Sequence, residues 1–237
     1  MPREQRPIND QQWVKESRFG KWFLSTDIWV RYVLSEAIQS MQNLLKNHSL
    51  PESPNVLDAG CGRGLAFGLL EEFLRPKLIV GIDIDKELIN QARESAESCE
   101  CVVELIHGSA TSIEYPSEFF DIIFCHQLLH HVAEQERVLD EFHRLLAPGG
   151  LLLIGESCRA FIDTFPVRLL FRHPMEVQKS ADEYVALVKS AGFQLQEQDT
   201  YKSCPWWSQR DFGLLKKMGL KKLRPHPDTE VIIVGRK

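Results

Sequence analysis

Little in this chain points to nucleic acid, to a membrane span or to a disulfide framework. Its 28 Lys and Arg against 33 Asp and Glu leave a net charge of −5, the wrong sign for a protein that binds by neutralising phosphates. No apolar run approaches the roughly 20 residues of a membrane span, and the polar stretch 1–12 does not read as a secretory signal. The six cysteines include no C-x-x-C pair, and Cys99 and Cys101 are too close together for a zinc knuckle. Their usage suits reduced thiols in a cytoplasmic protein. No internal repeat or low-complexity tract is visible. A length of 237 residues with 43% hydrophobic and 26% charged content describes one ordinary globular domain with caps, long enough to bury a large core.

What is present is concentrated in Val56-Leu57-Asp58-Ala59-Gly60-Cys61-Gly62-Arg63-Gly64. An apolar run ends near an acid, and glycine then occupies every second position before a helical pattern begins. Glycine tolerates positive φ and lets main chain approach a ligand closely. A loop between strand and helix also offers free amides at the helix N-terminus, so a nucleoside-containing cofactor is expected. The dinucleotide fingerprint G-x-G-x-x-G would need its third glycine at Leu65, one place later than Gly64. Together with Asp58, this D-x-G-x-G-x-G spacing points away from a nicotinamide dinucleotide and toward S-adenosylmethionine. Taken singly, such a loop is as well read as a tight turn and Asp58 as a helix cap.

The stretch resembles the first motif of class I S-adenosylmethionine-dependent methyltransferases, in the small-molecule branch, and four further segments follow in the family's order. Val80-Gly81-Ile82-Asp83-Ile84-Asp85 resembles the second motif, whose acid holds the ribose hydroxyls. Asp83 lies about twenty residues beyond the loop, as a βαβ unit requires. His107-Gly108-Ser109-Ala110 stands where the family commonly has Gly-Asp-Ala, with serine in place of the adenine-binding Asp and backbone groups left to meet the base. Phe120-Asp121-Ile122-Ile123-Phe124-Cys125-His126 fits the fourth motif, and the segment from Leu145 through Pro148-Gly149-Gly150 to Ile154 fits the turn into the fifth strand. The resemblance implies cofactor contacts from Asp58, Gly60, Cys61, Gly62 and Gly64 in the loop. It also implies contacts from Asp83, Ile84, Ser109, Ala110 and His126 at later strand ends.

The coarse pattern is α/β. Continuous apolar runs at Asn55–Ala59, Leu78–Asp83, Val102–His107, 122–126 and 151–155 read as buried parallel strands. Helical periodicity covers 65–74, 86–98 and 134–146, the last stopped by Pro148-Gly149-Gly150. A further helix over 180–191 is capped by Ser180 and ended by Gly192, and strands at 194–201 and Glu230–Arg236 follow. The expected fold is a Rossmann-like, seven-stranded, mostly parallel sheet with helices on both faces and, as the resemblance implies, its last strand antiparallel. An N-terminal helical cap spans residues 1–50, and the methyltransferase-like domain spans 51–237 with lid insertions at about 157–179 and 203–227.

Substrate choice is expected outside the core. Trp13, Phe19, Trp22, Phe23, Trp29 and Tyr32 precede the first strand, and Trp206 and Trp207 lie in the last insertion. Most of these aromatics suffice to fasten a helix, but together they form lids suited to an apolar or aromatic small-molecule acceptor. The segment 159–173 mixes apolar residues with Arg159, Arg168 and Arg172. It reads as a capping helix with solvated arginines, as a pocket for an anionic acceptor, or as a peripheral membrane patch over 160–173.

Methyl transfer is an in-line displacement, so positioning and water exclusion dominate. An acceptor that must lose a proton needs a base within reach. His126 is the best-placed candidate, followed by His130 and by Glu156, which closes the fifth strand. His126 and His130 have the i, i+4 spacing of metal ligands, but no third ligand is spaced to join them, so no metal is expected. A cofactor-binding protein of the same fold that does not transfer methyl is the alternative of another class.

Overall fold

A computed structural model describes residues 14, 16–209 and 227–237; Trp13 and positions 210–226 of the expected last lid lie outside the described residues. Seven strands, β1 (Asn55–Ala59), β2 (Leu78–Asp83), β3 (Val102–His107), β4 (Phe120–His126), β5 (Leu146–Ser157), β6 (Thr200–Ser203) and β7 (Glu230–Arg236), form one sheet ordered β3-β2-β1-β4-β5-β7-β6. The first five are mutually parallel, and β7 runs antiparallel between β5 and β6. The order reverses between β1 and β4, and at that switch point the carboxyl ends of neighbouring strands leave a crevice.

The cap before β1 consists of α1 (Arg18–Phe23), α2 (Asp27–Trp29), a π-helical stretch Val30–Leu34 and α3 (Ser35–Leu45). Ser17 and Thr26 cap the first two helices. The apolar face of the cap is formed by Val33 and Ala37, both buried, with Leu34, Ile38 and Met41. Helices α4 (Phe67–Leu74), α5 (Lys86–Glu97) and α6 (Gln135–Leu145) alternate with the parallel strands. The insertion after β5 folds as α7 (Arg159–Ile162) and α8 (Phe165–Leu170), and α9 (Ala181–Ser190) follows it. Among the described residues, no helix is long and apolar enough to cross a membrane.

Alternation along each strand feeds two cores. Val56, Ile79, Ile122, Phe124 and Leu153 share one face with Met41, Phe67 and Leu70. Leu57, Val80, Ile123 and Leu152 face the opposite side with Phe142 and Tyr184. With both faces covered, the central strands β1, β2, β4 and β7 read as largely apolar runs, and each buried large side chain contributes about 1.5–3 kcal/mol. In α9 the Ser180 hydroxyl accepts from Glu183 N while the Glu183 carboxylate accepts from Ser180 N, a reciprocal cap worth about 1 kcal/mol.

Two boundaries differ from expectation. Helix α6 ends at Leu145 because Leu146 already has extended backbone (φ −71°, ψ 138°), so Pro148-Gly149-Gly150 lies inside β5, where Gly149 at φ 78° turns the chain. The expected strand 194–201 is interrupted: Gln194 makes one bridge to Arg236, and a turn at Glu197–Asp199 precedes β6. The cause is Asp199, whose carboxylate accepts from Gln196 N at 2.8 Å and pairs with His48 Nε2 at 2.9 Å.

Candidate active site

Between β1 and α4 the chain must reverse tightly at the crevice, and Gly60 (φ 76°), Gly62 (φ 54°) and Gly64 (φ 73°) supply the left-handed backbone. The amides of Gly60 and Cys61 both donate to Ile82 O, at 2.8 and 3.0 Å, which fastens the loop to β2. A Cβ on Gly62 would meet nothing within 4 Å, so this glycine opens onto the cavity. Gly64 differs. A Cβ there would lie 2.4 Å from the Phe67 ring, and the residue does not line the cavity. The packing of Phe67 at the start of α4 requires glycine here, and the structure does not place Gly64 on the cavity wall.

Asp83, at the end of β2, accepts from Gly62 N (2.9 Å) and from Asp85 N (2.8 Å). Asp85 caps α5 through Glu87 N and receives Lys21 Nζ at 2.6 Å. The cap, the second strand and the glycine loop are thereby joined through one line of charge. Burial of the Lys21 ammonium opposes its charge, but Asp85 and Glu87 outweigh that and raise its pKa. Burial raises Asp83 as well.

Asp58 is buried, and its Oδ2 has no hydrogen-bond partner. Burial first, and the neighbouring charge of Asp83 second, push its carboxyl up to about 8. A buried acid lacking a counter-ion on the wall of a cavity suits a cationic group of a ligand. Burial likewise raises the thiols of Cys61 and Cys125, which remain protonated. The cavity also brings together Ile84, Ser109 and Ala110 at the ends of β2 and β3. The Ser109 hydroxyl is engaged with Thr111 Oγ1 at 2.8 Å, so it is less free than the carboxylate usual there.

His126 reaches the cavity at the end of β4, its ring 5.7 Å from Trp29 and 6.0 Å from Phe124. Its Nε2 is buried without a partner, and burial followed by the charge of His130 lowers its pKa to about 3. The imidazole is therefore neutral near pH 7, a hydrogen-bonding group rather than a strong base. Gln127 follows with φ 56°, an uncommon conformation for a non-glycine residue. Its Oε1 accepts from Ser157 Oγ, and its Nε2 is buried and unpartnered.

The structure brings His130 and Glu156 together but places neither on the cavity wall. Glu156 Oε2 pairs with His130 Nδ1 at 2.6 Å, and its Oε1 accepts from Leu128 N and Leu129 N at 2.8 and 2.7 Å. As placed, the pair holds the turn after β4 in shape, and both carboxylate oxygens are used. A strand-end position marks this acid as a candidate in the sequence; a long-range hydrogen-bond network decides what it touches. Glu16, Lys21, Arg63 and His131 also line the cavity, although the sequence pattern did not single them out for it. For Arg63 the available signal was its place inside the glycine loop.

The lids behave unequally. Trp29, Leu24 and Leu34 face the cavity. Phe19 and Phe23 instead pack on Phe171. Trp206 packs on Tyr32 and Trp207 on Phe161, both edge-on with ring centroids 5.3 Å apart. Neither reaches the cavity, because the cap and α7 take up their rings first.

Residues 57–154 match a family described as "Methyltransferase domain". The chain is 26% identical over 171 residues to a phosphoethanolamine N-methyltransferase of Zea mays, covering 72% of this chain and 30% of that protein. It is 31% identical over 107 residues to a ubiquinone biosynthesis O-methyltransferase of Coxiella burnetii, covering 45% of each. The chain thus spans about a third of the plant relative and under half of the bacterial one. Among solved structures, a SAM-dependent methyltransferase from Aquifex aeolicus is similar with a TM-score of 0.63 and 18% identity, covering 91% of this chain and 96% of that one. The [4+2]-cyclase SpnF is similar with a TM-score of 0.63 and 20% identity, covering 84% and 80%. The unpartnered Asp58 carboxyl and the open space at Gly62 fit an adenosine-bearing cation. Motif order, matched domain and sheet topology agree: residues 57–154 carry a methyltransferase domain, on the class I S-adenosylmethionine-dependent methyltransferase fold, with S-adenosylmethionine as its cofactor.

Proposed function

We propose that the protein transfers a methyl group from S-adenosylmethionine to a small, largely apolar or aromatic acceptor, in the cytoplasm. The observation that carries this reading is one cavity with two characters. Its wall combines the polar glycine loop, Asp58 and Asp83 with the apolar side chains of Leu24, Trp29, Leu34 and Phe124. Bound cofactor supplies an activated methyl on a cationic sulfonium. The chain's own residues bind, orient and exclude water. Asp83 offers carboxylate oxygens to ribose hydroxyls, Asp58 opposes a ligand cation, and Trp29 with its apolar neighbours keeps solvent out. His126 Nε2 and Gln127 Nε2 are among the unpartnered polar atoms of cavity-lining residues available to orient an acceptor.

The relatives divide over the acceptor, one being named for an amine nitrogen and one for an oxygen. None of Arg159, Arg168 and Arg172 lines the cavity, and the Arg159 guanidinium donates to Gln178 O, which disfavours an anionic acceptor held by that segment. We also propose that α8 makes peripheral contact with a membrane, since Phe165 and Leu169 are 78% and 69% exposed and Trp22 of the adjoining α1 is 60% exposed. Flotation with anionic vesicles, lost in Phe165→Ser/Leu169→Ser, tests this.

The decisive experiment is calorimetric titration with S-adenosylmethionine and NADH, followed by release of S-adenosylhomocysteine over quinols, phenols, thiols and phosphoethanolamine. Binding of NADH in place of S-adenosylmethionine would overturn the reading. Cofactor binding without turnover on any acceptor would favour a binding or other-reaction role. The neutral, weakly basic His126 and the cyclase with the same fold are the observations on that side. His126→Ala is expected to lower turnover and leave cofactor affinity intact.

A further inference from the structure

Beside the cavity lies a group of imidazoles that methyl transfer does not use. His130 and His131 sit on the turn Leu129–His131 after β4, and His173 comes from the segment following α8. Their ring centroids are 4.2, 4.8 and 5.1 Å apart, and one ring nitrogen from each falls within 4.8 Å of the others. His131 Nδ1 and His173 Nδ1 are buried with no hydrogen-bond partner. Three imidazoles stacked this closely, with buried nitrogens unmatched, are costly unless something accepts their lone pairs.

The surroundings are those of a metal centre. His130 Nδ1 is held by Glu156 at 2.6 Å, which fixes the tautomer and leaves Nε2 for the cluster, the carboxylate–histidine arrangement that supports metal ligands. Glu16 places Oε2 3.9 Å from His131 Nε2, while its Oε1 accepts from Ser17 N and Arg172 N. Two carboxylates, with imidazoles donating lone pairs, would balance the charge of one divalent cation.

We propose that His130, His131 and His173, with Glu16 as fourth ligand, bind one divalent transition ion of the zinc class. Imidazole and carboxylate donors in four-coordinate geometry suit Zn2+, at about 2.0–2.1 Å from each donor. Ligand nitrogens would then lie about 3.3 Å apart, a contraction achieved by small rotations of His131 and His173. The ion would tie the cap (Glu16) and the post-α8 segment (His173) to the core turn. Because Glu16 and His131 also line the cavity, it would sit at the cavity's edge. The site stands independently of the acceptor and of methyl transfer.

The test uses the full-length, tag-free protein, stripped with a chelator and titrated with Zn2+ by calorimetry and with Co2+ by visible absorption. One ion per chain and a four-coordinate Co2+ spectrum are expected. Glu156→Gln should weaken Zn2+ binding by about 10–100-fold, and His173→Ala and His131→Ala by more. Glu156→Gln and His173→Ala, both off the cavity wall, are checked for retained S-adenosylhomocysteine affinity, which reports the fold separately from the metal. X-ray absorption on the Zn2+-loaded wild type needs no variant and should show three imidazoles. No stoichiometric uptake, fewer than two imidazoles in the first shell, or wild-type affinity in His173→Ala would overturn the proposal.

Discussion

Substituting Asp58→Asn tests the electrostatics of the cofactor loop directly. In the folded protein burial and Asp83 hold this carboxyl at about 8, against 3.8 for an ordinary aspartate. The sign follows from linkage. Below pH 3.8 both states are protonated and Asp58 costs nothing. As pH rises from there toward 8, the unfolded chain ionises while the folded one keeps its proton, so stability falls. Each pH unit in that window is worth somewhat over about 1 kcal/mol, so wild type loses up to about 3 kcal/mol from this group between roughly pH 5 and pH 7. The substituted amide does not titrate. The stability of the variant relative to wild type, from urea unfolding at constant ionic strength, should therefore rise by up to that amount over the same interval. Any fixed cost of burying the amide is the same at both pH values and cancels. A cationic ligand opposite Asp58 should also drive its ionisation, so cofactor binding near about pH 6.5 should release up to about one proton, measurable by calorimetry in buffers of different ionisation enthalpy. A relative stability that does not change with pH, together with no proton release, would refute the assignment.

Three further outcomes are expected. Asp83→Ala removes two hydrogen bonds to a carboxylate, each worth about 1.5–3 kcal/mol, so thermal unfolding without ligand should show a loss of about 3 kcal/mol alongside weakened cofactor binding. Gly62→Val places a branched side chain in the open space at φ 54°, and calorimetry should show affinity for S-adenosylhomocysteine falling more than about tenfold, or ~1.4 kcal/mol; unchanged affinity would show that the loop serves the fold alone. Trp29→Ala uncovers the ring of His126, whose pKa should rise from about 3 toward its usual value. In wild type, no ionisation of His126 should therefore be seen by NMR between about pH 5 and 8.

The strands β1, β2 and β7 were legible to the residue because buried strands are unbroken apolar runs closed by turn residues, and the part-exposed edge strand β3 was legible from its β-branched start at Val102 and Val103 and its place after α5. Edge strand β6 was not, since it is short and half-exposed, and the turn before it depends on Asp199 meeting His48 from a distant helix end. In the site, Asp58, Gly60, Gly62 and Asp83 were legible because close backbone approach and a strand-end acid leave a local mark. Gly64 carries the same mark for another reason, the nearness of Phe67, and local pattern does not separate the two causes.

Glu156 and His173 show the other limit. At its strand end Glu156 resembles a catalytic acid, yet two loop amides and His130 take both its oxygens. His173 bears no spacing relation to His130 and His131, and the insertion's path alone brings it to them. The sequence by itself determined the donor half of this protein: the sheet, the loop and the cofactor, all encoded by short-range periodicity and backbone needs. The tertiary structure decided which side chains share a cavity, which aromatics cover it and which histidines meet, because those contacts join segments far apart in the chain and depend on burial that no local pattern records.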